Sequence, residues 1–369
     1  MTRILKPTAI SAIALAAAAA PAWAELKYDN NSGGSVLLYG QFSPAFQWVD
    51  DGTDSYSNLV DNAHSNTRVG MLLTQPMGQG TFTFTFETAL GLRSSDGVSQ
   101  LGKPDAFDWD RTKLRKIDAA YDTGEYGKFY LGQGSMATDG LAENDFSGTG
   151  MATYNGIGDS AGSFLFRDSS GTLTSVSIAD TAPSLDGGRR GRIRYDTPSF
   201  SGFTVSVAAG EEILTSGSDD KFYDIALRYA GEFGGGEVAG GLGFSRKDSG
   251  GTDTDDTFGS VAVLLDSGFN FAFAAGSRDS GGDYLYGKAG YQADWFSVGR
   301  TFVSVDIYDG SDFVTDGSDT QVLGIGASQM IDDQNLELYI GYRTYEFSDT
   351  SATSYQDIDS VLAGARWKF

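Results

Sequence analysis

The chain has 369 residues, with 50 glycines, 7 prolines, one histidine and no cysteine, and its 49 acids against 26 bases give a formal charge of −23. No cysteine means no disulfides, thiolate metal sites or cysteine nucleophiles, and a lone histidine (His64) excludes a multi-histidine metal centre and leaves one possible Ser-His-Asp arrangement. The acid excess argues against nucleic acid as a partner, and 13% aromatics with few prolines is not the composition of a disordered chain.

Residues 1–24 read as a secretory signal peptide. Arg3 and Lys6 form a positive start, residues 9–20 an apolar stretch, and Ala22-Trp23-Ala24 a small-x-small cleavage site. The apolar run is too short to span a bilayer. Its removal takes away two bases and no acids, so residues 25–369 carry 24 bases, 49 acids and a charge of −25. No later segment approaches about 20 consecutive apolar residues, so the exported chain is either soluble or crosses an outer membrane as a β-barrel.

Strand periodicity then recurs to the end. Residues 36–48 put Val36, Leu38, Phe42, Phe46 and Trp48 on one face and Tyr39, Gln41, Ser43 and Gln47 on the other. Residues 81–92 alternate Phe82, Phe84, Phe86, Leu90 and Leu92 with Thr81, Thr83, Thr85 and Glu87. Comparable segments fall at 66–73, 116–122, 127–133, 189–196, 203–210, 222–230 and 237–246. Others fall at 258–265, 269–276, 284–292, 296–308, 321–329, 336–347 and 358–369, giving sixteen expected strands. Arg300 sits on the wrong face of 296–308, which predicts a bulge or bend there.

Connections alternate in length. Short ones are expected at 75–80, 123–126, 197–202, 231–236, 266–268, 293–295 and 330–335. Longer Asp/Ser/Gly-rich ones are expected at 50–65, 93–115, 211–221, 247–257, 309–320 and 348–357. Short turns at one end and long loops at the other is the layout of an outer-membrane barrel. A soluble sandwich also alternates its faces, but sixteen strands without a domain break exceed what one sandwich holds. The fold class is therefore all-β, a transmembrane antiparallel barrel of sixteen strands over residues 25–369. A secreted acidic β-rich adhesin is the soluble alternative.

The last segment puts Val361, Ala363, Ala365, Trp367 and Phe369 on one face, and it must pair with 36–48 to leave no open edge in lipid. In this layout, from signal peptide through sixteen strands to the terminal Phe369, the chain resembles the general diffusion porins of the Gram-negative outer membrane. Residues 127–133 (GKFYLGQ) and 191–203 (GRIRYDTPSFSGF) resemble the strands flanking that family's third loop. The resemblance implies homotrimers, with the first and last strands at the interface. It also implies that the barrel-assembly machinery reads Trp367 and Phe369, and that outer-membrane lipid and lipopolysaccharide surround the barrel.

A barrel this wide leaves an aqueous channel, and what passes is set by whatever narrows it. Residues 134–188 form the longest connection, and loops of that length are functional or disordered. By resemblance this third loop folds into the lumen and sets acids opposite a ladder of wall bases. Its candidate acids are Asp139, Glu143, Asp145 and Asp159, all kept because the family's acidic signature is not recognisable here. Strand parity selects Arg68, Lys116, Lys128, Arg190, Arg192 and Arg194 as inward-facing bases, with Arg115, the family's choice, second to Lys116. The expectation is a passive, weakly cation-preferring channel for ions and small hydrophilic solutes, without covalent chemistry or a required cofactor.

The rival channel reading is a substrate-specific pore, for example for sugars, which needs an aromatic track. Tyr39, Tyr130, Tyr286, Tyr339 and Tyr345 are inward-phased but scattered. A hydrolase would need His64 beside a serine such as Ser57 or Ser65, with no recognisable motif around either. Asp253, Asp255 and Asp256 offer oxygen ligands to a weakly held Ca²⁺, outside any EF-hand register.

Overall fold

The computed structural model describes residues 26–369, so the expected signal peptide lies outside the described residues. The chain begins with β1 (Leu26–Asp29), β2 (Ser35–Phe42), β3 (Pro44–Asp50), β4 (Ser55–Asp61), β5 (Arg68–Met77) and β6 (Gly80–Ala89). β7 (Leu114–Asp122) and β8 (Lys128–Ser135) lead into the longest connection, which contains a small hairpin, β9 (Leu165–Arg167) and β10 (Leu173–Ser177), and one helical turn, α1 (Ile178–Thr181). β11 (Arg189–Asp196), β12 (Phe203–Glu211), β13 (Lys221–Phe233), β14 (Gly236–Asp248), β15 (Asp253–Leu265) and β16 (Phe269–Arg278) follow. β17 (Asp283–Phe296), β18 (Gly299–Ser311), β19 (Asp319–Ile331), β20 (Leu336–Ser348) and β21 (Ile358–Lys368) complete the order.

Neighbouring wall strands pair antiparallel in one continuous sheet. β3 pairs with β4 while β2 pairs with β5, so β2/β3 and β4/β5 are two interrupted wall strands. Counted that way, the described residues form a closed barrel of sixteen strands. Closure is made by β21, which pairs with β3 and with the end of β2. Gly40 and Phe369 exchange both backbone hydrogen bonds, at 2.9 and 3.1 Å. β1 then continues the line of β21 beyond Phe369, pairing Leu26 with Leu38.

The period of two sorts the side chains. Along β13, Tyr223, Ile225 and Leu227 are exposed on the outer face while Phe222, Asp224 and Ala226 are buried inside. Phe269, Phe271 and Phe273 of β16 and Ile193 of β11 are likewise outward. This is the reverse of a soluble core, and it suits a barrel whose outer solvent is lipid.

Three boundaries differ from expectation. Residues 50–65 are not a long loop, because β4 occupies 55–61 and leaves a turn at 51–54. The interruption falls later, at 62–67, where the Asp61 carboxylate takes the backbone N–H of Thr67 (2.7 Å) and its hydroxyl (2.6 Å) and turns the chain off the ladder. Phe296 ends β17 instead of opening the next strand, the turn lies at 297–298, and the register shifts between Ala293 and Phe296. Arg300 looked misphased because the expected strand ran through a turn. Finally, β15 starts at Asp253, so the loop before it is only four residues, 249–252.

Candidate functional site

The chain leaves β8 at Ser135 and its next residues bond to inward-facing groups around the wall. Thr138 donates its backbone N–H and its hydroxyl to Asp224 of β13, at 2.8 and 2.6 Å. Asn144 donates to the Ser260 hydroxyl of β15 (2.8 Å), and Asp145 pairs with Lys288 of β17 (2.7 Å). The Lys288 ammonium also donates to the Thr153 carbonyl (2.6 Å). Thr149 bonds Ser304 of β18 (2.6 Å), and the Tyr154 carbonyl accepts from Arg343 of β20 (2.7 Å). Arg343, 2% exposed, also pairs with Asp306 at 2.6 Å. Gln47 of β3 ends this track by donating to the Ser160 carbonyl (2.6 Å).

Inward glycines make room for the segment. Gly326 and Gly341 sit opposite each other on β19 and β20. A β-carbon on Gly341 would lie 2.5 Å from the Ala152 carbonyl oxygen, and one on Gly326 2.6 Å from the Thr153 hydroxyl. Side chains at either position would push residues 152–153 off the wall.

The wall left uncovered carries bases. Glu87 of β6 accepts from Arg115 (2.6 Å) and from the Tyr39 hydroxyl (3.0 Å), with Arg68 at 3.7 Å. A register shift beside Glu87 places Arg115, not the parity-preferred Lys116, in that ion pair, although Lys116 is paired opposite Glu87 on the ladder. Arg189 reaches Asp139 (3.6 Å), whose backbone carbonyl takes Arg228 (3.0 Å). Arg366 of β21 pairs with Glu337 and donates to the Ser65 hydroxyl (3.2 Å).

The predicted bases thus divide. Arg68 stands in the cluster around Glu87. Arg192 and Arg194 are posts for the root of the segment: Arg192 binds Asp118 (2.7 Å) and the Ser135 carbonyl (3.0 Å), and Arg194 binds Asp196 (2.7 Å) and the Met136 carbonyl (2.8 Å). Both guanidinium groups and the Lys128 ammonium surround the Tyr130 ring at 5.0–5.4 Å. Arg190 lies over the Phe222 ring (4.1 Å), with Glu212 at 3.9 Å. Parity missed Arg189, because a strand's first residue is not held to its alternation. Arg366 was legible in phase with Leu362 and Gly364, and went unassigned.

The acids divide too. Asp139 faces Arg189, while Asp145 is spent on Lys288, which outweighs burial and holds its carboxyl below the usual range. Asp159 lies under Tyr154, whose hydroxyl it accepts, and burial pushes its carboxyl up to about 7. Asp186, on the returning limb and absent from the sequence-derived set, accepts from the backbone N–H of Gly140 (2.5 Å) and Ala142 (3.2 Å). Burial, then the neighbouring carboxylates of Asp186, Asp139 and Asp159, raises Glu143 well above the ordinary carboxyl range. Burial and then Asp139 raise Asp186 likewise. Glu143 and Asp145 line a cavity of about 230 Å³ together with His64, Glu337 and Arg366.

Other expectations meet the structure less well. Tyr286, Tyr339 and Tyr345 are all buried, so they offer no aromatic track to a passing solute. The His64 ring packs on Tyr154 (3.8 Å between centroids), and no serine hydroxyl bonds it among the described residues. Asp253 and Asp255 both pair with Arg246, and Asp256 pairs with Arg278, so the oxygens proposed for Ca²⁺ already have cationic partners. Among the described residues no group of three or more such side chains is arranged to hold a metal ion.

The sequence model of a family described as Gram-negative porin matches residues 9–350. Among solved structures, an anion-selective porin from Comamonas acidovorans is similar at 20% identity and a TM-score of 0.61, over 91% of this chain and all of that one. The trimer form of Vibrio cholerae OmpT is similar at 13% identity and 0.58, over 91% and 99% of the two chains. A mutant of the Rh. blastica porin is similar at 16% identity and 0.52, over 90% and 100%. No curated protein sequence is similar enough to count as a relative. The barrel, its lumen and the near-complete family match together place the chain in the Gram-negative porin family.

Proposed function

We propose that this outer-membrane channel conducts ions and small hydrophilic solutes passively, through the space between residues 136–160 and the basic wall. The observation that carries this is the cavity lined both by Glu143 of that segment and by Arg366 of the wall. Opposed charges across a narrow, low-dielectric gap create a transverse field stronger than in open water, which favours water and polar solutes over greasy ones. The long loops are rich in acids, with Asp219, Asp220, Asp312, Asp316 and Asp349 among them. The preference should therefore be weakly for cations, and salt should erode it because the Debye length is about 10 Å at 0.1 M. Liposome swelling tests the reading: rates falling smoothly with solute size support it, and saturation by one solute would show a specific site. The burial of Tyr286, Tyr339 and Tyr345 favours the unspecific channel. The trimer form among the similar structures supports a homotrimer.

Two consequences concern charge. Arg189→Glu leaves Asp139 facing a like charge and should raise the cation-to-anion permeability ratio by roughly twofold or more. An unchanged reversal potential in a KCl gradient would remove Arg189 from the pathway. Glu143 and Asp186, with raised carboxyl pKa values, are neutral at lower pH and ionise as pH rises. The lumen then gains negative charge, so cation preference should increase between about pH 6 and about pH 9. Glu143→Gln should flatten that rise, and a wild-type reversal potential independent of pH would contradict it.

A further inference from the structure

Residues 136–160 are already seated on the wall by Asp224, Ser260, Lys288, Ser304 and Arg343. The rest of the same connection does something else. At Phe164 the chain turns toward the long-loop end and forms the β9/β10 hairpin, which bonds to three other segments there. Against 51–56, the Arg167 guanidinium donates to Asp51 (2.8 Å) and to the Tyr56 hydroxyl (3.1 Å). Against 95–100, Gln100 exchanges two hydrogen bonds with the backbone of Leu165, at 2.8 and 2.9 Å. Against 354–356, the Arg167 carbonyl accepts from Gln356 N–H and Ser169 N–H donates to Ser354, both at 2.8 Å.

This clamp is dry and tightly held. Asp51 and Phe166 are fully buried, and Phe166 packs on Phe347 (5.4 Å). Burial pushes the Asp51 carboxyl up, but hydrogen bonds from Asp54, Gln100 and Arg167 outweigh it. The hairpin's own hydrogen bonds reach no residue of 136–160 among the described residues, and the one link is through the 95–100 segment, where the Ser95 hydroxyl donates to the Asp159 carbonyl. The loops at 212–220, 249–252 and 279–282 exchange no hydrogen bond with the hairpin among the described residues.

We infer that the hairpin is a fixed roof over one side of the long-loop mouth, a size filter separate from the charged gap beneath it. Solutes reach the gap from that face past the side bordered by 212–220, 249–252, 279–282 and 312–318. The opposite mouth, ringed by short turns, has no such cover. The inference rests on the channel reading, and its test separates the two.

Polyethylene glycols of increasing length are added to one side of a planar bilayer, and the length that no longer lowers the conductance is read for each side. The chain has no cysteine, so Asp316→Cys with a membrane-impermeant maleimide identifies the long-loop face. The wild-type protein should exclude shorter polymers from the long-loop face than from the short-turn face. Replacing residues 165–177 with a short Gly-Ser linker should bring the two cut-offs together while the reversal potential stays the same. Arg167→Ala keeps the backbone and frees the clamp, and should move the long-loop cut-off in the same direction. Equal cut-offs from the two faces of conducting wild-type channels would overturn the roof, as would an unmoved cut-off in both variants. Absence of conducting channels would instead overturn the channel reading.

Discussion

Gly341→Val is expected to lower the single-channel conductance by roughly twofold or more, since conductance follows the open cross-section. Gly341 and its cross-strand partner Gly326 form a floor without side chains beneath Ala152 and Thr153. A β-carbon on Gly341 meets the Ala152 carbonyl oxygen at 2.5 Å, with the carbonyl carbon at 3.0 Å. These are backbone atoms, which cannot swing away as a flexible side chain would, and overpacking of this kind costs about 1–3 kcal/mol. The cheaper response is for residues 152–153 to move inward, and inward is into the channel. Gly287→Ala is a control on the outer face of the wall, because its nearest neighbour lies 3.6 Å away. Equal conductance in Gly341→Val and the wild type would mean that this stretch does not bound the pore.

Lys288→Met should have the second large effect. Lys288 is 5% exposed and its ammonium serves both the Asp145 carboxylate and the Thr153 carbonyl. Removing it leaves the Thr153 carbonyl without its donor and the partly buried Asp145 carboxylate with only the Ser147 N–H and hydroxyl, and breaking a buried pair from one side costs up to about 3–5 kcal/mol. The sixteen strands do not depend on that contact, so the cost falls on the seating of residues 145–153. Heat-modifiable migration should persist, while open-channel current noise and the mean conductance should both change. Adding Asp145→Asn should restore much of the quiet wild-type current, because removing both partners costs far less than orphaning one. Noise as large in the double variant as in Lys288→Met would assign the role of Lys288 to the Thr153 carbonyl instead.

The wall was legible because a strand repeats every two residues and lipid reverses which face is apolar, so rows such as Phe82, Phe84 and Phe86 stand out against threonines. Closure was legible for the same reason, since an apolar terminal strand needs a partner. β4 was missed because its residues Ser55, Ser57 and Asn58 have turn-like composition, and its strand state is imposed by pairing with Gln47 and Trp48. The turn at 297–298 was missed because Trp295, Phe296 and Val298 continue the apolar run through it. Within the lumen, parity put Arg192 and Arg194 on the inner face without naming their partners, and it passed over Arg115 and Arg189. Arg192 and Arg194 look no different in sequence from Arg190, yet they hold the segment's root through backbone carbonyls of Ser135 and Met136. A signal for the path of that segment was present in the inward-phase glycines of β14, β19 and β20, namely Gly241, Gly243, Gly326 and Gly341. Interior faces lacking side chains mark where another piece of chain lies against them.

The dependence of single-channel conductance on KCl concentration tests the account most directly. A water-filled pore with opposed charges but no specific site predicts discrete conductance steps that grow in near-proportion to salt, with a small cation-leaning reversal potential that shrinks as salt rises. Conductance that levels off at a fixed value, or a reversal potential of clear anion sign, would contradict it.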